Sequence, residues 1–241
     1  MLSLLRSIVF ALAAALITPP YAFLALAIFF LPPMTRYRII RTWSVAIVWL
    51  ARIICGVRWK VTGLERLPAA PSIILSKHQS AWETLAFQAI FPPQVWVLKR
   101  SLLWVPFVGW GIGMLSPIAI DRSQRMRALK QMLEQGRARL ASGFWVVVFP
   151  EGSRIDPGIR GTWQIGGAWL AAHAGAPVVP VAVNSGELWP RNGFIKHAGT
   201  IEVVILDPIS PAGMKAEVLN RLVEQRVEDA MLQLNGKARS R

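Results

Sequence analysis

The sequence predicts an α/β fold: a mixed, largely parallel sheet flanked by helices, with an N-terminal helical membrane anchor. Three observations carry this reading. From residue 57 onward, short apolar, β-branched runs alternate with longer amphipathic stretches, the pattern of strands joined by helices. Residues 7–31 contain no charge. The N-terminal quarter is basic and acid-free: Arg6, Arg36, Arg38, Arg41, Arg52, Arg58 and Lys60 all precede the first acidic residue, Glu65. A chain of 241 residues suits one well-buried domain with an appendage, which places membrane-associated helices at 1–56 and the α/β domain at 57–241.

Taking the elements in order, Thr18-Pro19-Pro20 interrupts the uncharged run. Proline removes a helix hydrogen bond and clashes with the preceding turn, so two half-length helices are expected near 8–17 and 21–31. Each is too short to span a bilayer, leaving a re-entrant hairpin or one kinked span. A cleaved signal peptide competes, with Arg6, a short apolar core and small residues; the apolar run past the prolines counts against it. Residues 35–54 read as a basic amphipathic helix, with Arg38, Arg41 and Arg52 among Ile40, Trp43, Ile47 and Val48. Such a helix lies along a membrane interface or packs on a core with its arginines solvated. Arginines cluster after the uncharged run and only Arg6 precedes it, so by the positive-inside rule the rest of the chain is expected to be cytoplasmic.

Strands are expected at 57–61, 72–75, 95–98, 118–120, 145–149, 178–183 and 201–206, each a compact apolar run. Helices are expected at 80–90, 123–141, 166–174 and 213–234, with a frayed basic tail at 236–241.

Composition narrows the partners. Apolar residues make up 54% of the chain, charged residues only 17%, and the net charge is +14, so an anionic partner is needed. The cations flank apolar stretches that a bilayer would cover and nucleic acid would not; anionic membrane lipids are the expected partner and nucleic acid is not. Cys55 is the only cysteine, which excludes intramolecular disulfides and thiolate metal clusters. His173 and His197 lack a second ligand at metal spacing, so no metal is expected. There is no Gly-x-Ser-x-Gly elbow and no Gly-x4-Gly-Lys-Ser/Thr loop, and Gly109-Trp110-Gly111-Ile112-Gly113 lacks dinucleotide spacing and reads as a turn or a place for an acyl chain to pack close.

Chemistry concentrates in loops after strands, where open α/β sheets keep their sites. Lys77-His78-Gln79-Ser80-Ala81-Trp82-Glu83 follows the second strand. On an ideal helix His78 and Glu83 would sit about 140° apart and could not meet. They meet if His78 precedes the helix and Glu83 occupies its first turn, which the Ser80-x-x-Glu83 capping box offers. Two readings follow: Glu83 only caps the helix, or it orients the imidazole so that the other nitrogen serves as base toward a hydroxyl. Phe149-Pro150-Glu151-Gly152-Ser153-Arg154 follows the fifth strand, with Arg154 suited to grip a phosphate. Lys99-Arg100 and Asp121-Arg122 also follow strands, making Lys99, Arg100 and Arg122 further candidate substrate contacts.

These blocks resemble the glycerolipid acyltransferases, specifically bacterial 1-acyl-sn-glycerol-3-phosphate (lysophosphatidate) acyltransferases. The likeness runs in order through His78–Glu83, then Lys99 with Pro106-Phe107-Val108-Gly109-Trp110, then Phe149 through Arg154, then Pro177-Val178-Val179-Pro180-Val181-Ala182. It implies transfer of an acyl group from acyl-CoA or acyl-carrier protein, as donor substrate with no cofactor, to the sn-2 hydroxyl of lysophosphatidic acid. By position, His78 is the base and Glu83 its orienting acid. Lys99 and Arg154 hold the phosphate, and Glu151, Gly152 and Ser153 shape that loop. Glu83 stands where the family usually has Asp, Ser101 where it has Glu, and Gln164 where a cation often follows the third block. No Ser or Cys is placed for an acyl-enzyme, so direct transfer is expected. A sibling enzyme with another acceptor (glycerol 3-phosphate, a lyso-aminolipid or another lysophospholipid) and a non-catalytic lipid-binding protein are the alternatives.

Overall fold

The computed structural model describes residues 1–121 and 125–239. A long helix α1 (Leu2–Ala27) and a second helix α2 (Pro33–Leu50) lead through one π-helical turn, Ala51–Cys55, to the sheet. Gly56 ends that turn at φ 73°, a left-handed conformation that costs glycine little. Seven strands follow: β1 (Val57–Thr62), β2 (Ile73–Ser76), β3 (Gln94–Lys99), β4 (Ile118–Ile120), β5 (Trp145–Val148), β6 (Val178–Val183) and β7 (Gly199–Ile205). Helices α3 (Trp82–Ile90), α4 (Val108–Met114), α5 (Arg125–Ala141), α6 (Gly166–Ala174) and α7 (Ala216–Arg239) fill the connections.

The strand order is β1-β7-β6-β2-β5-β3-β4, parallel throughout except for antiparallel β6–β7. This is the mixed, largely parallel α/β sheet that the sequence predicts. Central strands β2, β5 and β6 are buried at every position, as a sheet covered on both faces requires. β7 alternates buried and part-exposed residues. The order places the C-terminal ends of β2, β5 and β3 side by side, so the loops at residues 77, 149 and 99 share one edge.

The N-terminal segment departs from expectation. α1 runs through Pro19 and Pro20 as one helix rather than two. Contacts with α2 brace the helix at the proline pair: Thr18 Oγ1 donates to the Ala14 carbonyl (2.6 Å) and accepts the Trp43 indole N–H from α2 (3.2 Å). α1 is long and apolar enough to cross a membrane, and it touches the domain near both of its ends while most of its side chains stay exposed. Near its start, Phe10 packs edge-on to Trp189 (5.4 Å) and Ser7 Oγ accepts the Lys196 N–H (2.9 Å); near its end, Ala22 and Ala25 are buried. α2 buries Tyr37, Ile40, Ser44, Ile47 and Val48 on the domain side, and Gln88 of α3 donates to Ser44 Oγ (2.7 Å). The helix packs its apolar side on the core and leaves Arg38 and Arg52 exposed.

Two smaller differences concern glycine. The Gly109–Gly113 stretch is helix α4, not a turn. α7 continues through Gly236 to Arg239 instead of fraying at 236, since Lys237, Ala238 and Arg239 are good helix formers. The expected fifth helix appears from Arg125; its first two residues, 123 and 124, lie outside the described residues, as does Arg122.

Candidate active site

β2 ends in a buried polar turn. Ser76, Lys77, Gln79, Ser80 and Glu83 are all buried, and such groups must find partners. Glu83, in the first turn of α3, supplies most of them. Its Oε1 accepts the Gln79 N–H (2.6 Å), the Ser80 N–H (2.8 Å) and His78 Nδ1–H (3.0 Å). Its Oε2 accepts the hydroxyls of Ser80 (3.0 Å) and Ser185 (2.6 Å). Ser80 Oγ in turn accepts the Trp82 N–H (2.8 Å), but Ala81 rather than Ser80 is the N-cap of α3, so only the Glu83 half of the expected capping box forms. The two readings of Glu83 are therefore one arrangement: the carboxylate that closes the entry to the helix also holds the imidazole.

Electrostatics favour a charged Glu83. Burial pushes its carboxyl up, but the hydrogen bond from His78 and its charge, together with the bonds from Ser185 and Ser80, outweigh this and hold it below the usual glutamate range. An ionised carboxylate is acceptor-only, so Nδ1 carries the proton and Nε2 is the basic nitrogen. Phe149 stacks on the imidazole at 3.9 Å and 14°, fixing the ring plane.

The β5–α6 loop pins the same histidine from behind. Glu151 Oε2 accepts the His78 N–H (3.0 Å), and the Ile155 N–H donates to the His78 carbonyl (2.8 Å). Glu151 Oε1 is ion-paired with Lys77 Nζ (2.7 Å), which also donates to Glu228 Oε1 of α7 (2.9 Å) and the Ile159 carbonyl (3.1 Å). Burial, with Glu228 nearby, raises the Glu151 carboxyl despite its bonds from Lys77 and His78. Gly152, at φ 71°, turns the chain after this carboxylate as glycine readily does.

A cavity of about 590 Å³ opens against His78. His78, Lys99, Gly152 and Arg154 give it a polar end; Leu85, Trp96, Leu98, Phe107, Ile112 and Leu115 make the rest apolar, and Thr18, Tyr21 and Ala22 of α1 close one side. Arg154 and Arg191 each donate to the other's carbonyl (3.4 and 2.7 Å), which ties the two loops together. Neither Lys99 nor Arg154 has a carboxylate partner among the described residues.

The structure thus gathers His78, Lys99, Gly152 and Arg154 around one cavity, with Glu83 directly behind His78. Other candidates fall elsewhere. Glu151 turns inward to Lys77, so it shapes the loop and does not offer its carboxylate to an anion. Ser153 is exposed and absent from the cavity lining. Arg100 lines a separate small cleft with Asp121 and Arg127, away from His78. Sequence reasoning gave no role to Lys77, Ser185, Glu228 or Arg191. Only Ser185 carried a usable signal, as a polar residue just beyond a strand next to β2; the partners of Lys77 lie 74 and 151 residues away.

The sequence model of the family described as Acyltransferase matches residues 58–184. The chain is 46% identical over 209 residues to the 1-acyl-sn-glycerol-3-phosphate acyltransferase of Pseudomonas aeruginosa, covering 85% of this chain and 81% of that protein. It is 30% identical over 180 residues to the bovine 1-acyl-sn-glycerol-3-phosphate acyltransferase alpha, covering 73% of this chain and 62% of that longer protein. The crystal structure of the 1-acyl-sn-glycerophosphate acyltransferase of Thermotoga maritima superposes with a TM-score of 0.79 at 24% identity, over 97% of this chain and 96% of that one, which shows a shared fold.

Proposed function

Since the chain belongs to the acyltransferase family, we propose that it transfers a fatty acyl group to the sn-2 hydroxyl of lysophosphatidate, giving phosphatidate. The donor is acyl-CoA or acyl-carrier protein, and no cofactor takes part. The observation that carries the reading is the pairing of His78 Nδ1 with the buried Glu83, beside a cavity that holds cations at one end and apolar walls elsewhere.

In the proposed reaction Nε2 of His78 takes the proton of the acceptor hydroxyl as its oxygen attacks the thioester carbonyl carbon. The C–S bond then breaks, and the departing thiolate takes the proton back from the imidazolium. Glu83 stays ionised throughout and stabilises that imidazolium. Lys99 and Arg154 hold the acceptor phosphate, and the apolar walls take acyl chain. Residues 1–56 form the membrane-associated part, at the cytoplasmic face of the inner membrane. α1 touches the domain near both of its ends, which suits a helix lying in the interface beside the site better than one crossing away from it.

The test is thioester consumption by the purified protein with and without lysophosphatidate, alongside a panel of other lysolipids and glycerol 3-phosphate. Acceptor-dependent thiol release, lost in a folded His78→Ala variant, is the expected result. Near-normal turnover in that variant ends the mechanism, and release only with another acceptor ends the substrate assignment.

A further inference from the structure

The sequence from 101 to 120 is another long run without a charged residue, and its outer surface has no partner among the described residues. Its inner residues are accounted for, since β4 is core and Leu102, Phe107, Val108, Gly111 and Ile112 line the cavity. Trp104, Val105 and Trp110, however, lie outside that lining and are 83%, 43% and 37% exposed, and Leu102, Phe107 and Val108 of the lining are also more than a third exposed. Three large apolar side chains facing away from the cavity within seven residues, two of them tryptophan, exceed the scattered exposure of a water-facing surface.

The backbone holds this display in place. Phe107 has φ 60° and ψ −59°, and the Val108 N–H donates to the Pro106 carbonyl (2.7 Å) across a three-residue turn that non-glycine residues seldom adopt. The Phe107 ring lies 5.1 Å from Trp110 and 6.2 Å from Phe23 of α1. Through Phe23 the patch is continuous with the outer face of α1, where Leu12, Leu16, Leu24 and Leu26 are also exposed. Lys99 and Arg100, both exposed, stand just before the segment, where cations meet lipid head groups. Trp104 and Trp110 are the residue type that settles at the boundary between head groups and hydrocarbon.

We propose that residues 102–110 are a second membrane-inserting element, seated in the bilayer beside α1 so that the two form the lipid-facing rim of the cavity. The occupant of this surface is an anionic bilayer, because the patch adjoins the α1 face and carries cations at its edge. The inference rests on the membrane-associated reading of α1 and adds to it. An acceptor lipid then enters between α1 and this segment, which supply Thr18 and Tyr21 on one wall and Leu102 and Phe107 on the other.

The experiment uses the full chain with Trp104→Cys carrying an environment-sensitive fluorophore, on a Cys55→Ala background. Leu12→Cys on α1 and Glu65→Cys on the β1–β2 connection serve as references. Vesicles of phosphatidylethanolamine and phosphatidylglycerol are used with and without a chain-labelled nitroxide lipid. Blue-shifted, nitroxide-quenched emission at 104 and 12 but not at 65 is the expected result. Quenching at 12 without quenching at 104 overturns this proposal and leaves α1 as the membrane element. Quenching at neither position overturns both. A blue shift at 104 without vesicles, rising with protein concentration, marks self-association and also overturns it. An unlabelled Trp104→Glu variant should bind the same vesicles roughly tenfold more weakly, as a carboxylate replacing an interfacial aromatic implies.

Discussion

Two buried glutamates grip His78 from opposite sides, and they are not equivalent. Glu83 at the start of α3 holds the ring; Glu151 in the β5–α6 loop holds the backbone N–H. Burial works against the charge of both. Glu83 gathers five hydrogen bonds with no other carboxylate at hand, and its carboxyl falls below the usual range. Glu151 shares its one cation, Lys77, with Glu228, and its carboxyl rises. One partner, His78, beside many further donors holds the Glu83 carboxyl down, whereas a cation shared with a second carboxylate does not hold Glu151 down. The donor-rich glutamate faces the chemistry and the cation-paired one faces the frame.

The largest break in this comparison is Glu83→Gln. An amide there holds the imidazole in the wrong tautomer, and turnover should fall by about a thousandfold or more while the protein stays folded. A loss of only about 1 kcal/mol of stability with rates intact would reduce Glu83 to a helix cap. Next, Lys77→Met leaves Glu151 and Glu228 facing each other without a cation and should cost about 3–5 kcal/mol in denaturant unfolding, the usual penalty for halving a buried ion pair. Ser185→Ala removes one donor to the Glu83 carboxylate and should cost about 1.5–3 kcal/mol, read as lower stability and slower turnover together.

The smallest effect is in pH. The depressed carboxyl of Glu83 contributes stability that is present above its ordinary value of 4.5 and is lost as pH falls through the lower folded value. The raised carboxyl of Glu151 works in the opposite sense: its contribution is present at low pH and fades as pH rises through the folded value. Melting temperatures followed down an acid series should therefore flatten in Glu83→Gln and steepen in Glu151→Gln.

What the sequence disclosed followed range. All seven strands were legible because a strand covered on both faces needs an apolar run, and a run is local. His78 and Glu83 were legible because five residues separate them. Lys77 was in plain view, but its meaning depends on Glu151 and Glu228, which only the folded chain brings near. The proline pair misled for the same reason: Trp43, which supports Thr18 from α2, lies 25 residues on. α4 was missed because three glycines in seven residues argue against a helix that packing against α1 sustains.

One feature of α1 reaches further than attachment. Thr18, Tyr21 and Ala22 are part of the chamber's own wall, so shortening the chain at its start would unroof the reaction as well as loosen the grip on lipid. Solvent would then compete with the alcohol for the activated ester, and the trimmed enzyme should waste its donor, liberating free fatty acid where the intact one delivers product.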